Sequence, residues 1–260
     1  MNVSEYRAHP ALNFSLAKHL LDSPAHFKAA LDEDREETDA MRIGTIAHAM
    51  ILEGKNLLDL YAIKPAGMSF ATKEGKAWRD AQTLPILKEE DANMIPRAAQ
   101  AVVDHAEAEF ILKQCQWREK PIVGTMYGVE CKALLDVCGT DGAQWVIADL
   151  KTCQDASPRA FAKDVANRHY DLQAVWYSTL LGVVEGLEEP PYWIWLALEK
   201  SAPFVNAVYT AEDWIESGTA KLHRVLDLYK ECTASGQWPM PFRGITKLER
   251  PTWATTPTNQ

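Results

Sequence analysis

Two neighbouring segments, 121–138 and 144–152, carry a hydrophobic period of two, and ionisable residues interrupt both. In VIADLKT (146–152) the alternation of a strand places Asp149 and Lys151 on one face, about 6.7 Å apart, and Ala148 and Leu150 on the other. A central strand covered on both sides is expected to be apolar on both. An acid and a base there need a reason, either a structural ion pair or a chemical use. The preceding YGVECKALLDV (127–137) puts Val129, Cys131, Ala133, Leu135 and Val137 on an apolar face, with Glu130, Lys132, Leu134 and Asp136 opposite. Asp136 stands 13 residues before Asp149, with a turn expected at 139–142, so a hairpin brings the two carboxylates side by side. Two unpaired carboxylates repel in a low-dielectric site. A divalent cation removes the conflict, and Mg²⁺ prefers such oxygen ligands.

Helical patterns surround this pair. Residues 12–31 read as two helices broken at Ser23-Pro24, and 41–54 as a helix with Gly54 at its end. The run 32–40 reads as a charged loop and 65–85 as a mobile basic loop. Residues 88–113 and 158–185 are each expected to be helical. Residues 191–200 and 203–210 form a strand pair, 211–235 a long helix, and the Pro-rich tail is irregular. The order predicts one α/β domain over 1–260, a mixed central sheet flanked by helices. Its parts are a helical region (about 1–115), a core (about 116–210), and a C-terminal helix and tail (about 211–260).

Two helical pairs add polar groups. Gly44 and His48 are neighbours on one face at i and i+4, and Gly44 leaves room for another element beside His48. In HYDLQAVWYSTLL (169–181), Gln173 and Tyr177 have the same spacing. Their amide and hydroxyl can orient a ligand or brace Lys151.

G-x-x-x-H, then D, then D-x-K, then Q-x-x-x-Y resembles the RecB-like branch of the PD-(D/E)XK nucleases, above all the RecE-type (exonuclease VIII) catalytic domain of phages and prophages. The likeness also takes in SLAKHLLDSPAHFKA, TKEGKAW, WREKPI and SGQWP…LERPTWA. It implies a restriction-endonuclease-like core, with His48, Asp136, Asp149 and Leu150 at a Mg²⁺ site that Mn²⁺ can also fill. It further implies Lys151 as the catalytic lysine, Gln173 and Tyr177 in support, and Glu119 of WREKPI as an acidic neighbour. Ser15, Lys73, Lys76 and Arg79 are candidate DNA contacts. Leu134 stands where relatives often carry a basic residue. The implied activity is 5′-to-3′ hydrolysis of linear duplex DNA from its ends, leaving 3′ single strands for a RecT-like or Beta-like annealing protein. The alternatives are a structure-specific or Cas4-like nuclease, or a non-catalytic scaffold of the same fold.

Composition narrows these choices. The five cysteines include no C-x-x-C pair, and only Cys232 lies beyond residue 153, so neither zinc nor an iron–sulfur cluster is expected. No apolar run reaches membrane length and no secretory leader is evident, so a cytoplasmic protein is expected. The net charge of −9 argues against a protein that coats DNA. Together with the resemblance it points to a homo-oligomeric ring, which retains a duplex by topology.

Overall fold

The computed structural model describes residues 1–33, 39–140, 142–242 and 244–251. In chain order the elements are α1 (Val3–Ala8), β1 (Leu12–Asn13), α2 (Phe14–Ala17), α3 (Pro24–Asp32), α4 (Asp39–Glu53), α5 (Leu57–Leu60), β2 (Ala62–Ile63), α6 (Lys73–Asp80), β3 (Ile86–Leu87), α7 (Glu89–Val103) and α8 (Ala106–Gln114). There follow β4 (Trp117–Met126), β5 (Val129–Thr140), β6 (Trp145–Cys153), α9 (Pro158–Arg168), α10 (Tyr170–Glu185), β7 (Tyr192–Glu199), β8 (Asn206–Thr210) and α11 (Ile215–Ser235). Most of the charged run 32–40, Asp141 of the expected turn, and the end of the tail motif lie outside the described residues.

The main sheet runs β1-β5-β6-β7-β8, with β4 also paired to β5. It is mixed: β5–β6 and β7–β8 are antiparallel, β6–β7 and β1–β5 parallel. The β5–β6 ladder is short, running only from Val137↔Ala148 to Thr140↔Trp145. Beyond it β6 continues along β7 as far as Cys153, while β5 stays with β4 and takes on β1 at Cys131 and Lys132. The sheet therefore forks where Asp136 and Asp149 stand.

Both faces of the forked sheet are covered. Leu135, Ile147 and Trp195 pack under Leu172, Trp176 and Leu180 of α10. On the other face Val137, Ala148, Leu150 and Leu196 pack against Val102 of α7 and Ala108 of α8. Burial of each large apolar side chain contributes roughly 1.5–3 kcal/mol, which explains why β7 is apolar on both sides. Helix α11 then lies on α10 so closely that a Cβ at Gly218 would stand 2.3 Å from the Asp171 carbonyl oxygen. Buried Asp171 is held there by Lys221 at 2.6 Å and Ser217 at 2.7 Å.

Several sequence expectations need correction. Segment 121–138 is not one strand: Tyr127 and Gly128, both at positive φ, turn β4 into β5. Val137 joins the opposite core from Leu135 and Cys138, so the alternation breaks at Asp136. Within the presumed loop 65–85, Thr72 accepts the Gly75 amide and caps helix α6. Segment 88–113 is two helices parted at Asp104–His105, and 158–185 is two helices parted at His169, whose backbone is left-handed at φ 57°. Neither helix break carries a Gly or Pro, which is why periodicity alone runs through them.

Lys132, expected beside Asp136, is buried, and burial lowers its pKa. Its ammonium donates to the carbonyls of Tyr6 (2.9 Å) and His9 (2.6 Å), closing the C-terminal end of α1. Lys132→Met should take the ammonium donor from those carbonyls and lower the unfolding free energy by about 1–3 kcal/mol. Urea denaturation checks this, with faster amide exchange expected in residues 3–8; a stability equal to wild type would show that the cap contributes nothing.

Candidate active site

The fork leaves Leu150 without a partner on β5, and two side chains take its peptide groups. Asp136 Oδ2 accepts the Leu150 amide at 2.9 Å. His48 Nε2, from α4, lies 2.8 Å from the Leu150 carbonyl oxygen. A carbonyl can only accept, so Nε2 carries the proton and Nδ1 faces Asp136 Oδ2 at 3.5 Å. That nitrogen and that carboxylate oxygen thus face one another across the gap. Gly44 lets this end of α4 approach β6: a Cβ there would lie 3.3 Å from Thr152 Oγ1.

Glu119 completes the group from β4. The pairs Arg118↔Val137 and Lys120↔Leu135 leave Glu119 and Asp136 facing one another across the hairpin. Glu119 has φ 48°, a left-handed conformation that is unfavourable for a residue with a Cβ and is sustained by its surroundings. Ligand atoms of His48, Glu119 and Asp136 all lie within 4.8 Å of one another. Burial, and then the nearby Asp136 carboxylate, push the Glu119 carboxyl up to about 7.

Asp149 is held differently. It is fully buried, accepts Gln173 Nε2 at 2.8 Å on Oδ1, and forms an ion pair with Lys151 through Oδ2. Burial raises its pKa against the pull of the Lys151 ammonium. Burial alone would lower the Lys151 pKa, but Asp149, Tyr170 and Asp136 together outweigh it and keep the ammonium charged. The ammonium also stands 4.6 Å from the centre of the Tyr170 ring, a favourable cation–π contact. Partly buried Tyr177 follows Gln173 on α10, and burial holds its hydroxyl well above the usual range.

These groups border a cleft of about 860 Å³. Its described lining has five cations, Arg7, Lys55, Lys151, Arg168 and Lys200, against three acids, Glu53, Glu119 and Asp136. The local balance is thus opposite to the net charge of −9. Leu134 lies in the same wall.

Of the residues singled out in the sequence, His48, Glu119 and Asp136 come together as one ligand group, with the Leu150 peptide against it. Asp149, Lys151, Gln173 and Tyr177 form an adjoining chain, and Asp149 does not enter the described ligand group. Ser15, Lys73, Lys76 and Arg79 are exposed and are not among the described residues that line the cleft. Sequence reasoning missed Arg7, Lys55, Arg168, Tyr170 and Lys200. Tyr170 stands at the head of YDLQAVWY and could have been found there; the cations follow no local pattern.

In the metal-free protein the two acids should respond oppositely to amidation. Asp149→Asn leaves the Lys151 ammonium unpaired and should destabilise by about 3 kcal/mol. Glu119 has a raised folded pKa, so its charge costs stability progressively from the ordinary carboxylate range up to about 7, and in full above that. Glu119→Gln should therefore stabilise the fold above pH 7 and change it little at pH 4. Urea denaturation in chelator at both pH values checks this, and a stabilising Asp149→Asn would contradict the pairing.

The comparisons with known proteins follow this geometry. A crystal structure from Eubacterium rectale, provisionally called an exonuclease, superposes with a TM-score of 0.65 at 12% identity, covering 96% of each chain. At that identity the likeness shows the fold. No curated protein matches the sequence. A family model described as a PDDEXK-like domain of unknown function, DUF3799, matches residues 13–247. That span takes in β4 to β8 and the His48, Glu119 and Asp136 group, and the chain belongs to this PDDEXK-like family.

Proposed function

We propose that this protein is a divalent-cation-dependent deoxyribonuclease that degrades linear duplex DNA from its 5′ ends and leaves 3′ single strands. The observation that carries the reading is the fork in the sheet. It sets the His48, Glu119 and Asp136 ligand atoms within 4.8 Å of one another, in the same cleft as Lys151.

The donor set fits a hard or borderline cation such as Mg²⁺ or Mn²⁺: two carboxylates and one imidazole nitrogen. The raised pKa of Glu119 and the 3.5 Å approach of His48 Nδ1 to Asp136 are both relieved by positive charge between the groups. When bound, such an ion neutralises charge on the scissile phosphate and acidifies a neighbouring water.

The chain's own residues supply the rest. Lys151 presents an ammonium kept charged by Asp149, and stabilises the negative charge that develops on the phosphate oxygens. Gln173 fixes the Asp149 carboxylate, and the Tyr170 ring holds the ammonium in place. His48 and Asp136 lock the Leu150 peptide and so the position of β6 beside them. Arg7, Lys55, Arg168 and Lys200 offer the backbone a locally basic wall. The resemblance to RecE-type nucleases supports the end specificity, the 5′-to-3′ polarity and a RecT-like or Beta-like annealing protein as recipient of the strand. Resemblance and net charge support a ring of three or four copies, since a closed ring keeps a polyanion without an overall positive charge.

With Mg²⁺, an end-labelled linear duplex should be degraded while closed circular DNA stays intact. Lys151→Ala should slow cleavage by about two to three orders of magnitude at saturating DNA, with affinity little changed. Cutting of closed circles would overturn the end specificity, and full activity in the variant would remove Lys151 from the mechanism.

A further inference from the structure

A second pocket lies at the other end of the sheet. The cleft touches the C-terminal ends of the parallel strands β6 and β7, through Leu150–Thr152 and Lys200. The second pocket touches their beginnings, through Gln144, Tyr192 and Trp193. It measures about 670 Å³, within the range of specific ligand sites.

Its walls are largely apolar, formed by Val175, Pro190, Pro191, Trp193 and Leu222. Large apolar side chains also stand exposed at its edge: Tyr127 at 54%, Tyr192 at 40% and Ile215 at 41%. Such surface held open to water is costly to leave uncovered. The Trp193 indole N–H and the Ser178 hydroxyl, in the same walls, are buried and have no hydrogen-bond partner among the described residues. A buried donor in that state costs about 1–3 kcal/mol until an acceptor reaches it.

Charge decides between classes of guest. The described lining contains two acids, Glu189 and Glu212, and no cation. Phosphate groups are repelled by such a rim, whereas lysine and arginine are attracted to it. The arrangement is the reverse of the cleft, where cations outnumber acids.

We infer that this pocket is a docking site for a protein segment that presents an apolar or aromatic side chain beside lysine or arginine. The apolar side chain fills the pocket, a backbone carbonyl of the segment meets the unpartnered donors, and its cation pairs with Glu189 and Glu212 at the rim. Tyr192 already directs its hydroxyl to Glu212 at 2.6 Å, which fixes that carboxylate at the pocket edge. The site is independent of the nuclease reading, because no residue of the cleft takes part in it. Helix α10 nevertheless joins the two places: Gln173 touches Asp149, and Val175, Ser178 and Thr179 line the pocket.

The test uses two blocked hexapeptides, Gly-Lys-Trp-Leu-Lys-Gly and its counterpart with glutamate for both lysines. Each is titrated into the full chain while the Trp193 indole N–H resonance, assigned with Trp193→Phe, and the Tyr192 amide are followed by NMR. The basic peptide should shift both signals and bind roughly threefold to tenfold more tightly than the acidic one, as two exposed ion pairs allow. The doubly charge-reversed variant, Glu189→Lys with Glu212→Lys, should invert that order; both positions are exposed, so folding is preserved. No shift with either peptide at millimolar concentration, an unchanged order in the variant, or an equal response to a short DNA duplex would each overturn the proposal. DNA cleavage by the same samples reports separately on the nuclease reading.

Discussion

Backbone hydrogen bonds that a sheet leaves unmade have to be made by something else, and here that requirement builds the site. Strands β5 and β6 pair over four residues each and then part. Beyond the parting the Leu150 peptide has no partner on β5, and its N–H and carbonyl go to Asp136 and His48. An exposed fork would be filled by water; this one is filled by a carboxylate and an imidazole, which are then fixed to within hydrogen-bond tolerance. The two branches carry the remaining groups. Glu119 rides on β4 opposite Asp136, and Asp149 and Lys151 ride on β6 towards α10. Remove the fork, and the polar groups return to ladder positions with no common point.

Charge is organised at two scales. Over the whole chain acids exceed bases by nine, yet among the described residues lining the cleft cations outnumber acids. Inside that basic surround, burial and then the Asp136 carboxylate raise the pKa of Glu119. The outer balance favours an approaching polyanion and the inner one favours a cation, which together are the electrostatic requirements of phosphodiester hydrolysis. Asp149 lies outside the described ligand group. Buried and paired with Lys151, it sets the charge and orientation of the ammonium in the metal-free protein.

The strand pattern around ADLKT and the mixed sheet with its flanking helices were legible because alternation and helical periodicity are local. The placement of Asp149 and Lys151 on one face followed from spacing alone, and Ala148 and Leu150 do pack on the other. What escaped depends on tertiary context. The break of alternation at Asp136 arises where β5 leaves β6, and no residue in KALLDV announces it. Lys132 looked like a companion of Asp136 but reaches across to close α1, a contact 123 residues away in sequence. Arg7 enters the cleft from that same helix, so no motif could have included it. The left-handed backbone of Glu119 and His169 is equally silent, since both residue types usually avoid it.

The central claim is that the fork builds a cation site from His48, Glu119 and Asp136. Anomalous diffraction from crystals grown with Mn²⁺ tests it directly. The account predicts a peak about 2.0–2.3 Å from His48 Nδ1 and from a carboxylate oxygen of each of Glu119 and Asp136, lost in Asp136→Asn. A peak bound by Asp149 with no contact to Glu119, or one that persists unchanged in Asp136→Asn, would contradict it.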